Sequence, residues 1–537
     1  MSETPSGDGR VIEVEASGKR VVVIGDVSGR GRYHLGDEAM SEVAVDQLRR
    51  RGIGVTLLAG DPAISSAFYG VDAVPVFGFA GCRGAEKRDA RLAEVVEMAS
   101  GAREAGDDVA ATIAAIKAAD AVVIAGGGNM NATGEHHIYE RLALKRIAEA
   151  LGIPLFVSSQ TVGPSLLPRH RELVREIAGY ARVFGAREGE TAALMRELCG
   201  DSGRVVHTLD DAILMDPGPA DGLAERLDLP ERYVVGSFTY HAFSTGLSRE
   251  EYYRELASIV DGIAASQDAE VLLLPHMGVL GEEPQQGTDN DEYGHDRIVS
   301  YTTSGRVRSL PLLSARETFA VSLGAEFTVS TRYHPVIFGA ALGVPAVGIV
   351  TSYYSAQRMR GALSMFGMES FAVPYEYWNA PFGPRLLEAL RSDRARFADH
   401  SRAVGLRQRE YQSRWWDGIA AAITRDGELF ETDATAPASC EWTDERDAGL
   451  LAVARTAQEG TNMYRANNLV TVRRQDSRLA ALEQQLRDAR SDADRARREL
   501  AEALESIAEL RHRMRPPGAE LRDRVRHRMR RLRGGRD

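Results

Sequence analysis

STRYHPVIFGAALGVPAVGIV, from Ser330 to Val350, holds a strand end, a turn, a helix and a second strand in twenty-one residues. The apolar run Phe327 to Ser330 ends at Thr331, the spacing from Pro335 to Leu342 predicts a helix, and Ala346 to Val350 is rich in the branched residues of a strand buried on both faces. A strand, a helix and a strand in this order predict neighbours in a parallel sheet. Arg332 and His334 fall in the turn after the first strand, where open α/β sheets bind ligands. A cation beside a titratable imidazole suits anion binding and proton transfer.

Working outward, Tyr233 to Ser237 and Val271 to Leu274 are further strands of the same series, and Arg249 to Ser266 predicts a helix between them. An earlier series comprises Val21 to Gly25, Val55 to Leu58, Ala121 to Ala125, Pro154 to Val157 and Arg182 to Phe184, with helices expected over Asp37 to Arg50 and Tyr139 to Leu151. The turn-rich DPGPAD, Asp216 to Asp221, separates the two series. A chain of 537 residues exceeds one core. The expected fold class is therefore α/β, with two Rossmann-like domains facing a cleft. Boundaries are read as a flexible N-terminus at 1–19, domains at 20–215 and 225–430, a linker at 431–474, a coiled coil at 475–515 and a basic tail at 516–537.

The coiled-coil expectation rests on Leu479, Leu482, Leu486, Ala489, Ala493, Ala496, Leu500, Ala503, Ile507, Leu510 and Met514, whose steps alternate three and four. Such a stripe needs a partner helix, so a homo-oligomer is expected. Pro516 and Pro517 end the helix. From Leu521 to Asp537 eight arginines face two aspartates, whereas the whole chain carries -11, so an acidic body bears a basic tail. That tail reads either as solvated charge or as an attachment to anionic lipid head groups. An acidic body argues against nucleic acid as a partner. Cys82, Cys199 and Cys440 have no metal-ligand spacing and form no disulfide framework, and no stretch is long and apolar enough to span a bilayer. A cytoplasmic location is expected, with peripheral association at the inner membrane face as the variant.

Other candidate site residues lie just after the strands. GDVSGRGRYHLGDEAM, Gly25 to Met40, is a Gly-rich loop entering a helix, and Asp37 and Glu38 there repel phosphate and favour an acceptor role or a helix cap. AGGGN supplies Gly126, Gly127, Gly128 and Asn129, whose spacing is not a nucleotide fingerprint. His136 and His137 lie in the polar segment beyond it. SSQTVGP brings Gln160, and GAREGET places Arg187 after a strand, either to clamp an anion or to pair with Glu188 or Glu190. No carboxylate cluster points to a metal.

Taken in order, YHLGDEAM, AGGGN, SSQTVGP, AREGET, LDDAILM (Leu209 to Met215) and RYHPVIFGAALGVP resemble the blocks of the polysaccharide pyruvyl transferase family, over about Val21 to Phe371. The chain departs from the family pattern at His34, at Ser158-Ser159 and at Asp211, which stands where a proline is usual. The resemblance implies a GT-B-like pair of Rossmann-type halves. It also implies transfer of a pyruvyl group from phosphoenolpyruvate to two hydroxyls of a glycan or of a lipid- or nucleotide-linked sugar, forming a ketal during cell-envelope polysaccharide biosynthesis. Arg332, Arg187 and His334 would hold the donor, with His334 and Arg332 catalytic, and Asp37 and Glu38 would serve the acceptor. No cofactor beyond the donor substrate is implied. The alternatives are a GT-B-type sugar-nucleotide glycosyltransferase and a non-catalytic scaffold organised by the coiled coil.

Overall fold

Two parallel sheets dominate a computed structural model that describes residues 17–28, 32–164, 166–200, 204–218, 222–240, 244–281, 290–425, 427–513 and 518–533. The strands are β1 (Arg20–Ile24), β2 (Tyr33–His34), β3 (Gly54–Ala59), β4 (Asp72–Pro75), β5 (Ala121–Ile124), β6 (Gly127–Met130), β7 (Leu155–Val162), β8 (Val183–Ala186) and β9 (Val205–His207). The second series is β10 (Tyr233–Ser237), β11 (Glu270–Leu273), β12 (Met277–Gly278), β13 (Val307–Ser309), β14 (Thr328–Ser330), β15 (Ala346–Val350) and β16 (Ala372–Pro374). The first sheet runs β4-β3-β1-β5-β7-β8-β9, with β6 also on β7, and the second runs β13-β11-β10-β14-β15-β16. Every neighbouring pair in both sheets is parallel.

Helices cover both faces, which is why β5, β7 and β15 are buried at every residue. The helices expected from periodicity appear at Leu35–Arg49, Glu135–Leu151, Arg249–Gln267 and Tyr333–Leu342. The last begins two residues before Pro335, so His334 sits in its first turn and Arg332 is its cap. SSQTV continues β7 instead of turning, because Ser158 and Ser159 find buried partners and the strand slips register between Val157 and Gln160. Edge strands β4, β9, β13 and β16 are short and lack the apolar runs that reveal the central ones.

Three devices join the halves. β2 pairs antiparallel with β12, setting His34 opposite Met277 and Tyr33 opposite Gly278, and Leu35 N donates to the His276 carbonyl at 3.0 Å. Tyr33 Oη accepts from Ala315 N at 2.8 Å, and Arg316 pairs with Glu42 and Asp46. The helix Arg394–Thr424 returns to the first domain, where Asp211 accepts from Gln412 Nε2 at 2.7 Å, Trp416 Nε1 at 2.8 Å and Ser158 Oγ at 2.7 Å. A proline at 211 would offer none of these contacts, so the departure at Asp211 has a structural reason: it anchors the returning helix.

This compact unit ends at Met463, and a second unit begins at Tyr464. The helix Glu445–Arg513 starts inside the stretch expected as a linker, because Leu451, Ala454 and Gln458 bury against the second domain and Gln458 Nε2 donates to the Val350 carbonyl at 2.8 Å. In the second unit, Leu482, Leu486, Leu500, Ile507 and Leu510 of the seam are exposed. Part of the basic tail is helical, Ala519–Arg533. The expected N-terminal segment up to residue 16, the loop 29–31, the linker residues 219–221, Met514 and the Pro516-Pro517 stop lie outside the described residues. Among the described residues no helix is long and apolar enough to cross a membrane.

Candidate active site

A cleft of about 620 Å³ opens between the two sheets and is lined from both domains. From the second domain, β14 delivers Arg332 to it. Its Nη2 donates to Asp291 Oδ1 at 2.5 Å and to Thr239 Oγ1 at 3.1 Å, while its buried Nε has no hydrogen-bond partner. Burial pushes the Asp291 carboxyl up, but the charges of Arg332 and His295 and the hydrogen bonds from Arg332 and His276 N together outweigh it and hold the group below its ordinary range. Asp291 also accepts from His276 N at 2.9 Å.

His334 follows in the first helical turn. Its ring packs where a side chain at residue 36 would stand: a Cβ added at Gly36 would collide with Nδ1 and Cε1. Burial, then the charges of Arg187 and Arg358, hold the imidazole well below its usual range, so it is neutral at neutral pH. Nε2 is buried without a hydrogen-bond partner, 3.8 Å from Asp210 Oδ2.

Among the cleft residues that escaped the sequence reading are His276, Arg358 and Tyr354. His276 follows β11; its Nδ1 lies 3.0 Å from the Leu274 carbonyl, which can only accept, so the proton sits on Nδ1 and Nε2 is left as a buried acceptor without a partner. Burial and then Arg332 push its pKa down to about 3. Arg358, on the helix Tyr353–Ser364 after β15, lies 4.4 Å above the Tyr333 ring and 4.7 Å above the Tyr354 ring, with its buried Nε unpartnered. Tyr354 Oη donates to the Gly128 carbonyl at 2.9 Å, across the cleft. The rule that drew attention to Arg332, position after a buried strand, also covers His276; Arg358 lies a helical turn deeper and carries no such mark.

The first domain supplies the opposite wall. Asp37 and Asn129 line the cleft, as does Gly128, where an added Cβ would come within 3.2 Å of Arg187 Nη2 and 3.4 Å of Arg358 Cζ. Asn129 Nδ2 donates at 2.9 Å to Asp26 Oδ2, whose carboxyl is pushed up to about 7 by burial and then by the charge of Asp37. His137 Nε2 stands 3.5 Å from the same oxygen.

The remaining candidates lie beneath this surface. Glu38 is buried, accepts from Ser28 N at 2.7 Å and from Tyr69 Oη, and is raised to about 7 by burial. Gln160 Nε2 donates to the Ala125 carbonyl, and an added Cβ at Gly126 would meet Met40 Sδ at 2.8 Å, so both pack the floor. Gly127 borders Arg141 and Gln160. Arg187 is fully buried: Nη1 donates to Asp210 Oδ2 at 2.6 Å, and Nε to Glu188 Oε1 at 2.9 Å and Thr161 Oγ1 at 2.7 Å. Its Nη2 has no partner, and its Cζ lies 4.5 Å above the Tyr333 ring. Arg187 therefore acts on the cleft through its charge and through Tyr333.

The second-domain wall thus presents Arg332, Arg358 and two neutral imidazoles beside Asp291, and the first-domain wall presents Asp37 and Asn129 together with Arg32 and His34. An anionic ligand is drawn to the former, and a polyhydroxyl ligand finds acceptors on the latter.

Comparison with known proteins places this geometry. The family model for polysaccharide pyruvyl transferase matches residues 34–353, more than half of the chain. Among solved structures, the UDP-GlcNAc 2-epimerase from Neisseria meningitidis bound to UDP-GlcNAc aligns at 11% identity and TM-score 0.50, over 76% of this chain and 100% of its own. A further UDP-N-acetylglucosamine 2-epimerase aligns at 12% identity and TM-score 0.50, over 78% of this chain and 99% of its own. These likenesses establish the GT-B-like fold. No curated protein matches the chain in sequence.

Proposed function

Because the chain belongs to the polysaccharide pyruvyl transferase family and is a transferase, we propose that it moves a pyruvyl group from phosphoenolpyruvate onto two hydroxyls of a sugar in a cell-surface glycan or its precursor. The observation that carries this reading is that Arg332, Arg358, His276 and His334 face Asp37 and Asn129 across one cleft, which Arg32 and His34 also line from the first domain.

In this reading the donor's carboxylate and phosphate lie against the guanidiniums of Arg332 and Arg358, which line the cleft. The donor's methylene carbon takes a proton and its central carbon becomes electrophilic. A first sugar hydroxyl adds there, losing its proton. A second hydroxyl then displaces phosphate, closing the ketal. One hydroxyl proton balances that taken by the methylene, and the other leaves with phosphate. His334, whose imidazole is held neutral by burial and the neighbouring guanidiniums, gains affinity for a proton when the anionic donor arrives and carries it at Nε2. Asp37 and the Asn129–Asp26 pair face the acceptor hydroxyls.

We place the enzyme in the cytoplasm and propose that it works as a homo-oligomer, since the exposed seam repeats every 3.5 residues and so complements a second copy of itself. Leu486→Asp with Ile507→Asp should convert the oligomer to monomers in sedimentation equilibrium; an unchanged mass would remove the coiled coil from this account.

The test of the activity is phosphate release from phosphoenolpyruvate by the purified chain with lipid-linked and nucleotide-linked sugars. Release that requires both an acceptor and Arg332 and His334 supports the reading. Absence of release and of donor binding by calorimetry would move it to a sugar-nucleotide glycosyltransferase or a scaffold.

A further inference from the structure

Helix Ala519–Arg533 carries Leu521, Val525, Met529 and Leu532 at 70%, 50%, 59% and 79% exposure. Their steps of four, four and three put them on one face, within an arc of about 80° at 100° per residue. On the same wheel Arg522 and Arg526 flank one side of that arc, and Arg524 and Arg528 flank the other, all four exposed. Asp523 points away from the stripe.

We propose that this helix is a membrane-surface anchor: it lies in the head-group plane of an anionic bilayer, with the four apolar side chains entering the acyl boundary and the flanking arginines reaching lipid phosphates. Each part of the pattern favours this occupant. The stripe is too narrow and too strongly framed by charge to enter a protein core, and the helix is too short and basic to span a bilayer. A second copy is disfavoured because the arginines beside the stripe would face their equals. Nucleic acid would satisfy the arginines but leave four large apolar residues in water. A lipid surface satisfies both, since long cationic side chains keep their heads among phosphates while the stems lie along apolar surface. Fifteen residues make a marginal helix in water, so lipid also supplies the contact that holds it. The anchor is separate from the cleft chemistry and does not depend on the proposed reaction.

The test is co-sedimentation of the full chain with vesicles of phosphatidylcholine containing 30 mol% phosphatidylglycerol, as against pure phosphatidylcholine. Binding to the anionic vesicles is expected at low salt, falling at least about tenfold with 0.5 M NaCl. Leu521→Ser, Val525→Ser, Met529→Ser and Leu532→Ser together should lower it about tenfold or more, and so should Arg522→Gln, Arg524→Gln, Arg526→Gln and Arg528→Gln together. Three results would overturn the anchor: no binding to anionic vesicles, equal binding to neutral ones, or a serine variant that binds as wild type does. Tight binding of a random RNA in solution that prevents vesicle binding would assign the helix to nucleic acid instead. The serine variant should retain the thermal transition of the unaltered chain, which separates loss of anchoring from loss of fold.

Discussion

Past β1 and the two-residue β2 the chain enters a helix whose first turn carries Asp37; at the carboxyl end of β14 it enters a helix capped by Arg332 with His334 in its first turn. The two walls share this plan and differ in what burial does to them. Behind the first, desolvation pushes carboxyls up, Asp26 and Glu38 to about 7. On the second, it pushes imidazoles down, His276 to about 3 and His334 well below its usual range. Burial therefore favours the uncharged form of these four groups, while Asp291 stays ionised against Arg332 and the guanidiniums keep their charge. The lesson is that one physical cause, desolvation, favours the neutral form of acids and bases alike through opposite shifts.

The sharpest way to break this contrast is Arg332→Ala, which removes the permanent cation and leaves Asp291 a buried charge without its partner. Acceptor-dependent phosphate release should fall roughly 10³-fold, and Arg332→Lys should recover little of it because the forked geometry is lost. Next come two changes that reach His334 differently. His334→Ala should cost roughly 10²-fold in kcat. Gly36→Ala, which alters no charge but occupies the space of the imidazole, should approach the same loss with donor affinity largely kept. If Gly36→Ala is silent, the ring position is not what matters.

Asp37→Asn tests the other wall: acceptor KM should rise about tenfold while calorimetric donor binding is unchanged. A matching loss of donor binding would dissolve the division between walls. The smallest effect concerns pH. The Glu38 carboxyl lies at about 7 in the folded chain against an ordinary 4.5, so the native state holds the proton more tightly. Its contribution to stability is full below about 4.5 and is lost as pH rises through 7. Glu38→Gln should flatten the fall in denaturation midpoint between pH 5 and 8; an unchanged slope would place the titration elsewhere.

Much of this was legible from residues. Central strands such as AVGIV announce themselves because burial on both faces leaves only apolar choices. Arg332 and His334 were found by position after a strand. Arg187 and Gln160 pass the same positional rule yet lie below the cleft surface, because side-chain direction and the register slip in β7 are set by tertiary packing. Arg358 is legible only once the helix after β15 is laid against Tyr333. The hydrophobic period foretold the long helix but not its start at Glu445, since that boundary depends on contacts of Leu451 and Gln458 with the distant second domain.

The two-residue pairing of β2 with β12 has a mechanical meaning. It spans the gap between the sheets at the very segment that leads into Asp37 on one side and follows His276 on the other. A swing of one half against the other would have to strain this seam together with the Arg316 pairs and the contacts of the returning helix. The spacing across the cleft is thereby held in part by backbone hydrogen bonds at one edge, which depend on no side chain.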